Sequence, residues 1–110
     1  MEVSLNFDDT VKTAELKLGG DLRIQHAAEL KKVLTDTLEK AETTLLDLEE
    51  AEGFDLSSIQ LLYAFHLASV NSKKSFRLIG DCPEQFRVAV ENAGFAWADW
   101  LCFGSSQEVA

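Results

Sequence analysis

A chain of 110 residues, 46% hydrophobic and 26% charged, is long enough to bury one core and apolar enough to close it, so the composition excludes disorder and points to a single domain over residues 1–110. The formal net charge of −9 excludes recognition of nucleic acid by phosphate neutralisation, and no apolar run approaches the roughly 20 residues that cross a bilayer. The opening Met1-Glu2-Val3-Ser4 carries no basic segment, so no secretory leader is expected and a cytoplasmic location is.

Val3, Leu5 and Phe7 alternate with polar residues, which predicts a strand with one buried face. Asp8-Asp9-Thr10 breaks the pattern, and alternation resumes at Ala14, Leu16 and Leu18, so the two strands are expected to form an antiparallel hairpin ended by Gly19-Gly20-Asp21. From Gln25 to about Ala41 the period becomes helical, with Ala27, Leu30, Leu34, Leu38 and Ala41 on one stripe. Thr43–Leu48 is short and apolar in its middle, as a central parallel strand requires, and Gly53-Phe54-Asp55 reads as a loop.

Ile59–Val70 is helical but apolar on nearly every side. Leu61, Leu62, Phe65 and Ala68 form one stripe and Ile59, Tyr63, His66 and Val70 its neighbour, leaving Gln60, Ala64, Leu67 and Asn71 on the remaining face. Phe76–Ile79 is another short strand. Pro83 suits the first position of a third helix, with Cys82 or Asp81 before it, Phe86, Ala89, Val90 and Ala93 on its buried stripe and Gly94 as its stop. Trp100–Phe103 reads as a last strand and Ser105–Ala110 as the start of a short helix. Strands alternating with helices imply an α/β domain whose parallel neighbours are joined by right-handed crossovers.

The sequence contains no dinucleotide fingerprint, Walker A loop or nucleophile elbow. Cys82 and Cys102 lack metal-site spacing and read as small apolar residues; His26 and His66 have no nucleophile or metal partner nearby in the sequence. No catalytic, metal-binding or cofactor-binding residues are expected, and the chain is read as a binding protein. Acidic residues crowd between Asp36 and Asp55, with only Lys40 opposing them, which suits either a solvated surface or the docking of a basic or neutral protein.

The most informative segment is Phe54-Asp55-Leu56-Ser57-Ser58-Ile59-Gln60-Leu61-Leu62. It sets an acid and two hydroxyls where a loop enters a helix. Asp and Ser are preferred N-caps, because their oxygens accept from the helix's free N–H groups, and on residue chemistry alone capping is the stronger reading. The same free N–H groups and the helix dipole would also accommodate a phosphoryl group on Ser57 or Ser58.

This segment, together with Leu16–Leu30 (Leu-Lys-Leu-Gly-Gly-Asp-Leu-Arg-Ile-Gln-His-Ala-Ala-Glu-Leu) and Phe76–Pro83 (Phe-Arg-Leu-Ile-Gly-Asp-Cys-Pro), resembles the STAS domain family. Asp55–Leu62 is similar to that family's Asp-(Ser/Thr)-x-Gly-Leu motif, and the Ile-Gln-Leu-Leu ending is most like the small single-domain members found beside chemotaxis-like signalling genes. The resemblance covers nearly the whole chain, through the order and spacing of the segments rather than any one motif. It implies a mostly parallel four- to five-stranded sheet with an N-terminal β-hairpin and three to four packed helices. It also implies a bacterial anti-sigma factor antagonist, whose partner is an anti-sigma factor, serine kinase or other signalling protein and which has no catalytic residues of its own.

In many such proteins the partner kinase phosphorylates the serine or threonine directly after the motif aspartate, which breaks the complex. Here Leu56 occupies that position, Ser58 replaces the motif glycine, and Ser57 lies one residue beyond the acceptor. A shift of one residue turns a side chain by about 100° around a helix, so loss or replacement of the switch is expected over simple transfer to Ser57. The expected partner surface comprises Asp55, Leu56, Ser57, Ser58, Gln60, Ala64 and Leu67. Two other functions fit less well: a STAS subunit of an ABC-type lipid transport complex, and a small enzyme.

Overall fold

The computed structural model describes residues 1–94, so the expected strand at Trp100–Phe103 and the helix from Ser105 lie outside the described residues. Two strands, β1 (Glu2–Asp8) and β2 (Thr13–Asp21), form the expected antiparallel hairpin, in register from Glu2 opposite Gly19 to Asp8 opposite Thr13. The turn between them is held by the Asp8 carboxylate, which accepts the Thr10 N–H at 2.9 Å. A 3-10 turn over Ile24–His26 leads into α1 (Ala27–Lys40), then β3 (Thr43–Asp47), β4 (Ala51–Gly53), α2 (Leu56–Asn71), β5 (Ser75–Ile79) and α3 (Glu84–Asn92).

The sheet order is β1-β2-β3-β5, with β4 paired to the far end of β2. Every pairing except the hairpin is parallel. The parallel register places Leu16, Leu46 and Leu78 in one row and Ala14, Thr44 and Phe76 in another, all buried. The alternate row, Glu15, Leu45 and Arg77, lies on the opposite face and is exposed or half-buried. The core therefore fills the space between one sheet face and the helices, where Leu30 and Leu34 of α1, Ile59 and Leu62 of α2, and Phe86 and Val90 of α3 meet the strands. Two aromatic pairs bind its layers: Phe65 meets Phe76 edge-on at 4.7 Å between centroids, and Phe54 meets Phe86 at 5.2 Å.

Five local expectations change. The face of β1 expected to be buried is largely open, with Val3 41% and Leu5 40% exposed, because β1 is the sheet's edge strand and its side chains have a strand neighbour on one side only. Phe7 is partly covered, with the Lys40 ammonium 5.3 Å from its ring centre. Helix α2 begins at Leu56, three residues before the apolar pattern, because Asp55 caps it there. Its buried stripe is narrower than the two read from the pattern: Ile59, Leu62 and Phe65 are buried, whereas Val70 is 56% exposed. Pro83 is the N-cap of α3 rather than its first residue, with extended ψ of 144°. The acidic loop contains the short strand β4, whose three residues are too few to show a period.

The loops at the carboxyl ends of the strands are tied together. The Glu49 side chain accepts the Asp81 N–H at 2.7 Å, linking the β3–β4 connection to the β5–α3 connection. Gly80, with φ of +77°, makes the turn that this contact requires, in a region most side chains avoid.

Thr37 is buried in α1 on the stripe read as wholly apolar, and among the described residues its Oγ1 has no hydrogen-bond partner. An unpaired buried hydroxyl is unfavourable, whereas valine has nearly the same shape. Thr37→Val should therefore raise stability by about 1 kcal/mol, a rise of roughly 4–8 °C in melting temperature for a domain of this size. Phe86→Ala, which empties a fully buried site, should cost about 3–5 kcal/mol. Thermal unfolding of both variants checks the two signs.

Candidate functional site

Phe54 leaves β4 with its ring against Phe86, which fixes where the chain turns into α2. The next residue, Asp55, is extended (φ −143°, ψ −173°) and caps the helix through a reciprocal box. Asp55 Oδ1 accepts the Ser58 N–H at 3.2 Å, while Ser58 Oγ accepts the Asp55 N–H at 2.9 Å. Ser58 Oγ also donates to the Asp55 carbonyl at 2.9 Å. Serine stands here where a capping box usually has Glu or Gln.

The remaining valences of the Asp55 carboxylate reach outward. Oδ1 accepts the Ser57 hydroxyl at 2.6 Å, and Oδ2 accepts the Ile24 N–H at 2.9 Å from across the sheet end. Partial burial pushes the Asp55 carboxyl upward, but hydrogen bonds from the Ser57 hydroxyl and from the Ile24, Ser58 and Ser57 N–H groups outweigh it. The group therefore lies below the ordinary aspartate value and is ionised at neutral pH. Beside it, Asp21 accepts from the Arg23 side chain and N–H and from Gln25 at 2.8–3.2 Å. The Arg23 hydrogen bonds lead in holding Asp21 down to about 2.

The structure brings most of the expected partner residues onto one surface. Leu56 is 53% and Leu67 43% exposed, and Gln60 and Ala64, one turn apart between them, are exposed as well. Asp55 and Ser57 are half-buried at the helix entry. Ser58 differs from the rest: it is 0% exposed and its hydroxyl is engaged in the capping box. A recess of about 200 Å³ lies beside Leu56, between Phe54 and Asp55 on one side and Ala89, Asn92 and Ala93 of α3 on the other.

Two further exposed apolar residues join this surface. Ile24, 64% exposed, is set next to the helix entry by its N–H bond to Asp55, and Val70, 56% exposed, continues the outer side of α2. Position 24 continues the β2 alternation of Leu16, Leu18 and Leu22 and also lies three residues before Ala27, so periodicity alone would bury it. Helix α2 has no Asp, Glu, Lys or Arg in its sixteen residues, whereas exposed Glu49, Glu50 and Glu52 precede it in the chain and exposed Asp81 follows β5. The surface is thus apolar and polar-neutral with acids to one side.

Burial lowers the His66 pKa, and desolvation of the Cys82 thiol pushes it up to about 11. Among the described residues no group of three His, Cys, Asp or Glu side chains can hold a metal ion. Among them, too, no helix is long and apolar enough to cross a membrane.

Removing the Asp55 cap should destabilise the protein. Asp55→Ala loses the α2 cap, about 1–2 kcal/mol, and also strands the Ile24 N–H; Asp55→Asn should lose less. Because the folded carboxyl lies below the ordinary value of 3.8, its contribution is complete above that pH and is lost as pH falls through the depressed folded value. Melting temperature should therefore drop on acidification below about pH 4 and drop less steeply in Asp55→Asn. An equal acid slope in both proteins would contradict this assignment.

The comparisons with known proteins agree with this geometry. The chain is similar in structure to the Bacillus cell fate determinant SpoIIAA in its phosphorylated form, with TM-score 0.68 and 15% identity over 98% of this chain and 96% of that one. It is similar to the anti-sigma factor antagonist SpoIIAA in its unphosphorylated form, with TM-score 0.71 and 15% identity over 98% and 92%. An anti-sigma factor antagonist from Mycobacterium paratuberculosis matches with TM-score 0.65 and 14% identity over 84% and 79%. No curated protein sequence matches the chain. The family model described as Mlab, STAS domain, matches residues 5–96, which takes in every described strand and helix except the first residues of β1. The chain belongs to the STAS domain family.

Proposed function

We propose that this chain is a cytoplasmic, non-enzymatic partner-switching module of the anti-sigma factor antagonist kind, which binds an anti-sigma factor, a serine kinase or a related signalling protein. The observation that carries the reading is the uncharged, exposed side of α2, running from Leu56 through Gln60, Ala64 and Leu67 from an entry held rigid by Asp55. Contacts of this composition supply affinity by burying apolar area, while the neighbouring acids favour a partner with a basic rim. The structural likeness to anti-sigma factor antagonists supports the same reading.

Two features favour a switch that has been lost or replaced. Leu56, at the position of the family's acceptor hydroxyl, is exposed and apolar. Ser57, the nearest alternative, is half-buried and donates its hydroxyl to Asp55 at 2.6 Å. A phosphoryl group on Ser57 would break that bond and bring about two negative charges against the ionised Asp55 carboxylate.

Incubation with the serine kinase that binds the chain, plus ATP, should leave residues Asp55–Gln60 unmodified by mass analysis, and Leu56→Ser should gain one phosphate. A phosphopeptide containing Ser57 from the unaltered protein, abolished by Ser57→Ala, would overturn the lost switch. Leu67→Glu should keep its melting temperature and lose the partner, because a carboxylate buried in an apolar interface has no compensating pair. If Leu67→Glu binds normally, the α2 surface is not the interface. If the captured partner is the nucleotide-binding subunit of a transporter, the chain is a transport-complex subunit instead.

A further inference from the structure

Outside the helix entry, an apolar concavity among the described residues lies between α1 and α2. It encloses about 360 Å³ and is open to solvent. Its floor is Leu34 and Leu38 of α1 with Leu61 and Phe65 of α2, and on the α2 side its rim is made of the small residues Ala64 and Ala68. Ala64 also belongs to the proposed docking face, so groove and face are continuous.

The α1 wall is polar and carries opposite charges at its two ends. Lys31, Thr35 and Glu39 line it at spacings of four residues, so the backbone positions of Lys31 and Glu39 stand about 12 Å apart along the helix. Because α1 and α2 each return from one parallel strand to the next, they run in the same direction, and the groove between them has the shape that takes a third helix, ridge into groove. Small residues at Ala64 and Ala68 allow close approach of that helix.

We infer that this groove receives an amphipathic helix of the partner, with leucine-like anchors on the groove floor, an acidic side chain over Lys31 and a basic side chain over Glu39. The inference rests on the reading of α2 as the docking helix and adds the partner's contact element and its charge order. The charge pattern selects against the simplest alternatives: an occupant with acids at both ends is repelled at Glu39, and one with bases at both ends is repelled at Lys31. A second copy of this chain brings another net charge of −9 toward the same surface, which disfavours it.

The test uses the full chain, isotope-labelled, and three synthetic 14-residue helical peptides sharing leucines at helical spacing. One carries lysine at its first turn and glutamate at its last, one carries lysines at both, and one glutamates at both. Expected are amide shifts confined to Lys31–Glu39 and Leu61–Ala68, with the mixed peptide binding at least tenfold tighter than either other. Glu39→Lys should reverse the order in favour of the peptide with glutamates at both ends. Ala68→Leu, which fills the rim, should weaken the mixed peptide at least tenfold with the melting temperature kept.

Shifts elsewhere, or indifference of the ranking to Glu39→Lys, would overturn the inference. Concentration-dependent shifts of the same amides without peptide would assign the groove to a second copy. At least tenfold tighter peptide binding in Trp97→Ala or Trp100→Ala would assign it to the chain's own residues 95–110. Each of these leaves the proposed function standing, since that is read separately from loss of the native partner in Leu67→Glu.

Discussion

The Asp55 carboxylate is the interaction on which this surface depends. A carboxylate with two oxygens can end one helix and still accept from elsewhere, and Asp55 uses that capacity fully. It caps α2 through Ser58, orients the Ser57 hydroxyl, and holds the Ile24 N–H at the junction of β2 and α1. Those three contacts fix the relative positions of Ile24 and Leu56, two exposed apolar side chains more than thirty residues apart in sequence. Such groups present a defined shape only if the backbone beneath them does not fray, and helix ends are where fraying begins. Hydrogen bonds that favour the ionised form keep the capping group charged throughout the neutral range.

The division of labour among the helices follows from what each must face. Helix α1 carries charged residues outward, among them the Lys32–Asp36 pair at 3.0 Å, and α3 carries Arg87 between Glu84 and Glu91. These exposed pairs add little to stability and mainly keep the surface solvated. Helix α2 has no such residues, although only Ser58, Ile59, Leu62, Phe65 and Ser69 are buried. A helix that needed only a core stripe would gain solubility from charges on its other sides. Their absence is explained if those sides are covered in the working complex, which is the physical content of the docking proposal.

The fold class and the succession of strands and helices, β4 apart, were legible because they depend on periodicity, and the family was legible through the order and spacing of three segments. What stayed hidden depends on the third dimension. The alternation of Val3, Leu5 and Phe7 marks a sheet face correctly but says nothing of whether a helix lies over the edge strand. Thr37 sits on a buried stripe with an unpaired hydroxyl, a cost that no pattern of apolar residues reveals. Ser57 and Ser58 are indistinguishable as letters; only the capping box shows that one hydroxyl faces inward and the other meets a carboxylate. Ile24 entered the site through a backbone bond, which leaves no trace in residue type.

In the proposed complex, the acids beside α2 and the apolar residues on it would act at different stages of association. Glu49, Glu50, Glu52 and Asp81 are exposed, so their field extends about 8–10 Å into physiological solution and would accelerate encounter with a basic surface without being desolvated. Leu56, Leu67 and Ile24, exposed and apolar, would contribute only after contact, when water leaves, and so act mainly on the dissociation rate. A phosphoryl switch adds charge at the apolar centre and thereby raises dissociation most where desolvation is most complete. Leucine at position 56 takes that lever away from the family's acceptor position while enlarging the apolar contact. Ser57 is the residue left to supply it, and its hydroxyl is already bonded to an ionised carboxylate. A phosphoryl group on Ser57 would break the contact that orders the α2 entry, so modification there would couple added charge to loss of the surface's shape.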